Sequence, residues 1–165
     1  MYIQSNADFT FIKRIAVLPF GNLTNDKFAG EKIRDIVTTE VLSRGFFDVI
    51  EQGEVNKVLR EEAKGDATAI GQDAIKTIGK RLGVQAFILG SVEEYEGSSG
   101  GGRSFPQVAI SMRMIDVKSN KILWQVSYNK EGGGAISRLF GIGSKSISEI
   151  SRELVKEMMD TLFKE

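Results

Sequence analysis

Phosphate chemistry is the first that this sequence invites. Lys13–Ile33, KRIAVLPFGNLTNDKFAGEKI, passes from an apolar run through a loop of Gly, Asn, Thr and Asp into a helix-like segment. Strand, glycine-bearing turn and helix is the layout in which backbone amides and a helix N-terminus hold phosphates. The residues that would complete it are missing. A P-loop needs G-x-x-x-x-G-K-[ST], and here Gly30 is not followed by Lys and Ser or Thr. A dinucleotide fingerprint needs three closely spaced glycines and fails as well. A second stretch, FGIGSKS, holds G-x-G at Gly141 and Gly143, but Ser146 stands where a third glycine is needed and Lys145 follows Ser144. Both stretches read as connections, the first with Asn and Thr side chains bonding locally.

Carboxylate, thiol and imidazole chemistry fare no better. Glu61–Glu62 and Glu93–Glu94 are adjacent pairs, and neighbours at i and i+1 point apart on a helix or strand, so neither pair shares a proton or a metal by itself. They read as solvated faces. The chain has no Cys and no His, which removes thiolate nucleophiles, disulfides, the usual general base and the commonest metal ligand. Ser, Lys and Asp are scattered without catalytic spacing. The expectation is a protein that is not an enzyme, with no cofactor and no metal. Met112 and Met114 are assigned to a sheet's core face. Trp124 is either core or an edge-packing anchor, with recognition as the alternative.

Positions without chemistry of their own must be explained by the elements that carry them. The 165 residues suffice for one domain with a real core. Lys plus Arg and Asp plus Glu both number 22, so there is no basic excess of the kind a nucleic-acid binder shows, although a local basic patch is compatible with zero net charge. No apolar run approaches the roughly 20 residues of a membrane helix, and MYIQSNADFTF lacks the basic start and apolar core of a signal peptide.

Residues 1–10 read as a polar tail or tether, and residues 11–165 as one domain. Phe11–Phe20, with its continuous run IAVLPF, fits a central strand buried on both faces that ends near Pro19. Gly30–Arg44 is predicted helical, with Ile33, Ile36, Val37 and Val41 inward and Gly45 as the stop. Phe46–Glu51 is a short second strand. Gly53–Ala63 and Asp73–Leu82 are helices with inward faces Val55, Val58, Leu59 and Ile75, Ile78, Leu82. Val84–Glu96 is a third strand. Val108–Val117 and Lys121–Tyr128 form a hairpin, with Ile122, Trp124, Val126 and Tyr128 on one face and Asn120 in a left-handed turn position. A last helix runs from Ser146 to Phe163, with Ile147, Ile150, Leu154, Met158 and Leu162 inward. The order implies a single three-layer α/β domain. Its mixed five-stranded sheet has the order 2-1-3-4-5, the last two strands an antiparallel hairpin, with helices on both faces.

These segments in this order carry a resemblance. KRIAVLPFGNLTND leading into KIRDIVTTEVLSRGFFDVIEQGEVNKVL, then GKRLGVQAFILGSVEEYE, then MRMIDVKSNKILWQ and the terminal helix are similar to the CsgG family of bacterial outer-membrane lipoproteins. That family is named for the curli secretion channel and is close to the penicillin-binding-protein activator LpoB. Asn120 replaces the family's usual turn Gly. The resemblance implies a periplasmic domain anchored to the outer membrane by a lipidated N-terminal Cys that is not in this chain, and it brings no catalytic residues. The curli channel builds its pore from two long hairpins. The matching connections here are Gly97–Ser104 and Glu131–Ser146, and a membrane hairpin needs about twenty residues plus a turn. The chain keeps the scaffold and lacks the channel.

The resulting expectation is a non-enzymatic periplasmic lipoprotein domain that binds a protein partner in envelope assembly, secretion or activation of a cell-wall enzyme. The alternatives are a ring-forming structural component acting through self-association, and a small nucleotide- or phosphate-dependent enzyme using the loops after strands one and three. The partner-binding candidates are Arg103 and Phe105 in the first glycine-rich connection and Ile136, Leu139 and Phe140 in the second, where AISRLF places large apolar side chains among glycines. Both connections are expected at one end of the sheet.

Overall fold

The structure is a computed structural model that describes residues 1–4, 9–62, 71–97, 105–133 and 145–163. Its strands are β1 (Tyr2–Ile3), β2 (Arg14–Val17), β3 (Gly21–Asn22), β4 (Asp48–Val49), β5 (Ala86–Glu96), β6 (Gln107–Asp116) and β7 (Ile122–Glu131). Its helices are α1 (Ala29–Arg44), α2 (Gln52–Glu62), α3 (Gln72–Leu82) and α4 (Ile147–Leu162).

The run IAVL explains the layers. Alternate residues of this run point to opposite faces, and Ile15, Ala16, Val17 and Leu18 are all buried. Ile15 and Val17 join a core with α1 and α4, built on Ile33, Val37, Val41, Ile150, Leu154 and Met158. Ala16 and Leu18 join a second core with α2 and α3, built on Val55, Val58, Leu59, Ile75, Ile78 and Leu82. The helical faces expected from 3.6-residue periodicity are thus those that pack, with Ile36 and Ile147 only partly buried. Gly45 and Gly83 end α1 and α3 in the left-handed conformation at φ 68° and 63°.

The sheet corrects the five-strand expectation. It has seven strands in the order β1-β7-β6-β5-β2-β4, with β3 beside β5. The two additions are two residues long, too short to show a period. β1 lies in the segment read as tail, where Tyr2 pairs with Gln125 and Ile3 with Trp124. β3 continues the edge beside Ser91 and Val92 after β2 has ended. β2 is parallel to both β4 and β5, and β6 and β7 follow antiparallel.

The hairpin shows one further departure. The register shifts between Met114 and Ile115, so that Met114 faces Trp124 while Ile115 faces Ile122. The bulge puts Leu123 and Trp124 both inside and leaves Ile122 exposed, off the face it was assigned. Asn120 takes the left-handed conformation at φ 57°. The four helices among the described residues run opposite to the parallel strands. Their N-termini mark an upper end of the domain and their C-termini a lower end.

Candidate functional site

The loop between β3 and α1 is closed by its own side chains. The Asn22 Oδ1 accepts the Thr24 backbone N–H at 3.0 Å and the Thr24 hydroxyl at 2.8 Å, while its amide donates to the Asp26 carbonyl at 2.8 Å. Asp26 Oδ1 accepts the Phe28 N–H at 2.8 Å, and Oδ2 pairs with Lys32 at 2.8 Å. A carboxylate therefore occupies the start of α1, where a phosphate would have to sit. The loop presents Leu23 and Phe28 to solvent instead. Thermal shift with ATP, GTP or NAD at micromolar concentration should leave the melting temperature unchanged, because a ligand held only by the native state must raise it. A reproducible rise would contradict this reading of the loop.

Among the described residues no group of three or more acidic side chains is placed to hold a metal. Glu61 and Glu62 do converge, but on a cation: Arg81 from α3 pairs with both, at 2.6 Å to Glu62. Glu93 accepts the Ser111 hydroxyl at 2.6 Å, and Ser111 and Ser127 share a hydrogen bond of 2.8 Å. Ser111 lines an open hollow of about 210 Å³ on the sheet, together with Pro19, Leu89, Ser91 and Arg113 among others.

The residues that flank the two glycine-rich connections meet at the upper end. The Gly132 N–H donates to the Pro106 carbonyl at 2.8 Å, and the Lys145 N–H donates to the Gly132 carbonyl at 3.2 Å. A Cβ on Gly132 would stand 2.5 Å from Pro106 Cγ, and one on Gly133 would stand 1.9 Å from the Phe105 ring. Glycines that composition marks as loop are here required by close approach. Phe105, half-buried, is thereby fixed where the first connection re-enters the sheet. Arg103, Ile136, Leu139 and Phe140 lie outside the described residues.

The start of α4 anchors the second connection. Ser146 and Glu149 form a reciprocal capping box. Lys145 pairs with Glu153 at 2.6 Å, and Glu153 also faces Lys130, which pairs with Glu157. These contacts depress several carboxyls: Glu149 through the Ser146 backbone N–H, Glu153 through Lys145, Asp26 through Lys32 and Glu61 through Arg81. A carboxyl whose folded pKa lies below its unfolded value stabilises the fold above the unfolded pKa, about 4, and loses that contribution as pH falls through the folded one. The urea midpoint should therefore hold from pH 7 to 5 and fall below pH 4, modestly because these carboxyls are exposed. A midpoint unchanged at pH 3 would contradict the ion pairs.

One buried group escaped sequence reading. Arg34 in α1 is 5% exposed. Its Nε and Nη2 donate to the Val17 carbonyl at 3.0 and 2.8 Å, and Nη1 donates to Asn56 Oδ1 at 2.8 Å. Burial lowers its pKa, opposed by the fields of Asp35 and Glu51. The signal was present, since Arg34 precedes Val37 by three and Val41 by seven and so lies on the inward stripe.

Residues 3–129 match the family model described as peptidoglycan-synthase activator LpoB. No curated protein sequence matches the chain. Among solved structures the fold is similar to a PelC dodecamer from Paraburkholderia phytofirmans, at 15% identity and TM-score 0.63 over 93% of this chain and 89% of that one. It is similar to lipoprotein GNA1162 from Neisseria meningitidis, at 19% identity and TM-score 0.63 over 90% and 95%. It is also similar to the LpoB C-terminal domain from Salmonella enterica, at 14% identity and TM-score 0.55 over 72% and 82%. The family model carries the relationship to LpoB and the solved structures show the fold; the CsgG assignment and its curli-assembly reading find no support among these matches.

Proposed function

This chain belongs to the family of the peptidoglycan-synthase activator LpoB, and from that membership we propose that it binds a peptidoglycan synthase and regulates it without catalysing a reaction itself. The observation that carries the reading is the family match over residues 3–129. The meeting of the residues that flank both connections supports it. Gly132 and Gly133 hold Phe105 and Pro106 in place, so two neighbouring segments leave from one rigid seat. A contact held in place as Phe105 is loses less freedom when a partner binds. We assign partner contact to Arg103 and Phe105 on one segment and to Ile136, Leu139 and Phe140 on the other. A periplasmic domain tethered to the outer membrane through a lipidated upstream segment is part of this reading.

The test is a glycan-polymerisation assay with a peptidoglycan synthase from the same organism, paired with a binding measurement. Addition of the domain should bind the synthase and raise its rate. Replacing Leu139 and Phe140 together with Ser should abolish both effects while the melting temperature holds. Absence of binding and stimulation by the wild type overturns the reading. A fall of several degrees in the double variant would instead make these side chains part of the core. A second reading, self-association through the same end, is favoured by the similarity to the PelC dodecamer. It predicts a concentration-dependent oligomer in sedimentation velocity that the double variant disperses.

A further inference from the structure

Both ends of the domain carry both signs of charge, and they differ in how their cations are paired: Lys32, Lys130 and Lys145 at the upper end are held by carboxylates. Each helix begins at the upper end with an acid in its first turn: Glu31, Glu54, Asp73 and Glu149. At the lower end Arg44, Lys80 and Arg81 sit in last helical turns, where they answer the helix dipoles, and Arg44 is paired with Glu40 and Asp160 and Arg81 with Glu61 and Glu62. That leaves Lys13 before β2 and Lys118 and Lys121 at the turn joining β6 to β7. All three are exposed, and no ion pair among the described residues holds them.

Large apolar side chains stand among these lysines. Phe11 is 48% exposed, Leu42 54% and Phe46 62%. The backbone keeps the group together. The Asp48 N–H donates to the Lys13 carbonyl at 2.8 Å, which runs Phe46–Phe47 beside Phe11–Lys13. The Gln85 side chain accepts the Lys13 and Arg14 N–H groups at 3.0 and 2.8 Å, and the Gln85 carbonyl accepts the Val117 N–H at 2.9 Å, which brings the Lys118 turn alongside. Phe46 is stacked on Phe163 at 4.6 Å, so its ring is held outward by a partner beneath it.

We propose that the lower end is a contact for an anionic phospholipid surface, with Lys13, Lys118 and Lys121 on the headgroups and Phe11, Leu42 and Phe46 at the boundary of headgroups and acyl chains. Interleaving decides for lipid over protein. A protein interface gathers its apolar residues in a centre depleted of Lys, whereas a membrane-surface contact sets Lys and Phe or Leu side by side. Among the described residues no helix is long and apolar enough to cross a membrane, so the contact is peripheral. It does not depend on the synthase-binding reading and uses the opposite end of the domain.

Co-sedimentation of the chain with vesicles tests it. Vesicles of phosphatidylethanolamine and phosphatidylglycerol should bring the protein down, less so as salt rises, and vesicles of phosphatidylcholine alone should not. K13Q/K118Q/K121Q should weaken binding by about tenfold or more. F11S/F46S should weaken it comparably while leaving the salt dependence in place. Urea midpoints checked alongside separate lost contact from lost fold, and the lysine triple variant, whose side chains are exposed and unpaired, should fold normally. Equal sedimentation with both vesicle types, no sedimentation with either, or wild-type binding by both variants would overturn the proposal. So would a lipid-free oligomer dispersed by both variants. Synthase stimulation should be unaffected by either, so the two readings fail independently.

Discussion

Trp124→Ala should destabilise the domain by about 4 kcal/mol, a fall of about 8–16 °C in melting temperature for a chain of this length. The indole is fully buried between the sheet and α4, and its N–H donates to the Thr161 hydroxyl at 2.9 Å. The alanine leaves a cavity that β7, paired on both sides at this position, is poorly placed to close. Thr161 keeps its own donation to the Met158 carbonyl at 2.7 Å, so the lost hydrogen bond is the smaller part of the effect. Trp124→Phe separates the two: it should cost about 1–2 kcal/mol, the hydrogen bond and a little volume. A loss below about 1 kcal/mol for the alanine variant in urea unfolding would show that Trp124 is not core.

Arg34→Met should be nearly as costly, about 3 kcal/mol, although methionine matches the buried volume and removes a buried charge. The Val17 carbonyl receives two guanidinium donors, and Asn56 is held by a third contact. With methionine that carbonyl loses both donors at the end of β2, between α1 and α2. A buried acceptor stripped of its donors loses more than an average hydrogen bond is worth. Lys cannot reproduce the forked contact, so Arg34→Lys should fall between methionine and wild type. A methionine variant within about 0.5 kcal/mol of wild type would mean that Val17 finds other partners.

Much of the fold was open to inspection in the sequence because its signals are local. The periodic faces of α1 to α4 needed only spacing. The stops at Gly45 and Gly83 and the turn at Asn120 needed only the residue types that tolerate positive φ. The unbroken run in β2 told of burial on both faces because alternate side chains must each find a core. The absence of Cys and His removed thiolate, disulfide and imidazole chemistry without any structure.

Other features belong to the tertiary structure alone, since they depend on residues far apart in the chain. β1 and β3 exist because a neighbouring strand edge offers hydrogen bonds to short segments with no pattern of their own. The inward displacement of Leu123 follows from a register shift. Gly132 and Gly133 are required by Pro106 and Phe105, about 26–28 positions away by subtraction of their sequence numbers. Arg34 is tolerable inside only because the end of β2 and a side chain of α2 meet it there. The net charge of zero is a sum, and a sum carries no direction. The start of β2 and a returning hairpin turn bring Lys13, Lys118 and Lys121, which no ion pair among the described residues holds, to one end of the domain. Composition cannot report that gathering, because it is a property of where the chain puts its charges and not of how many it has.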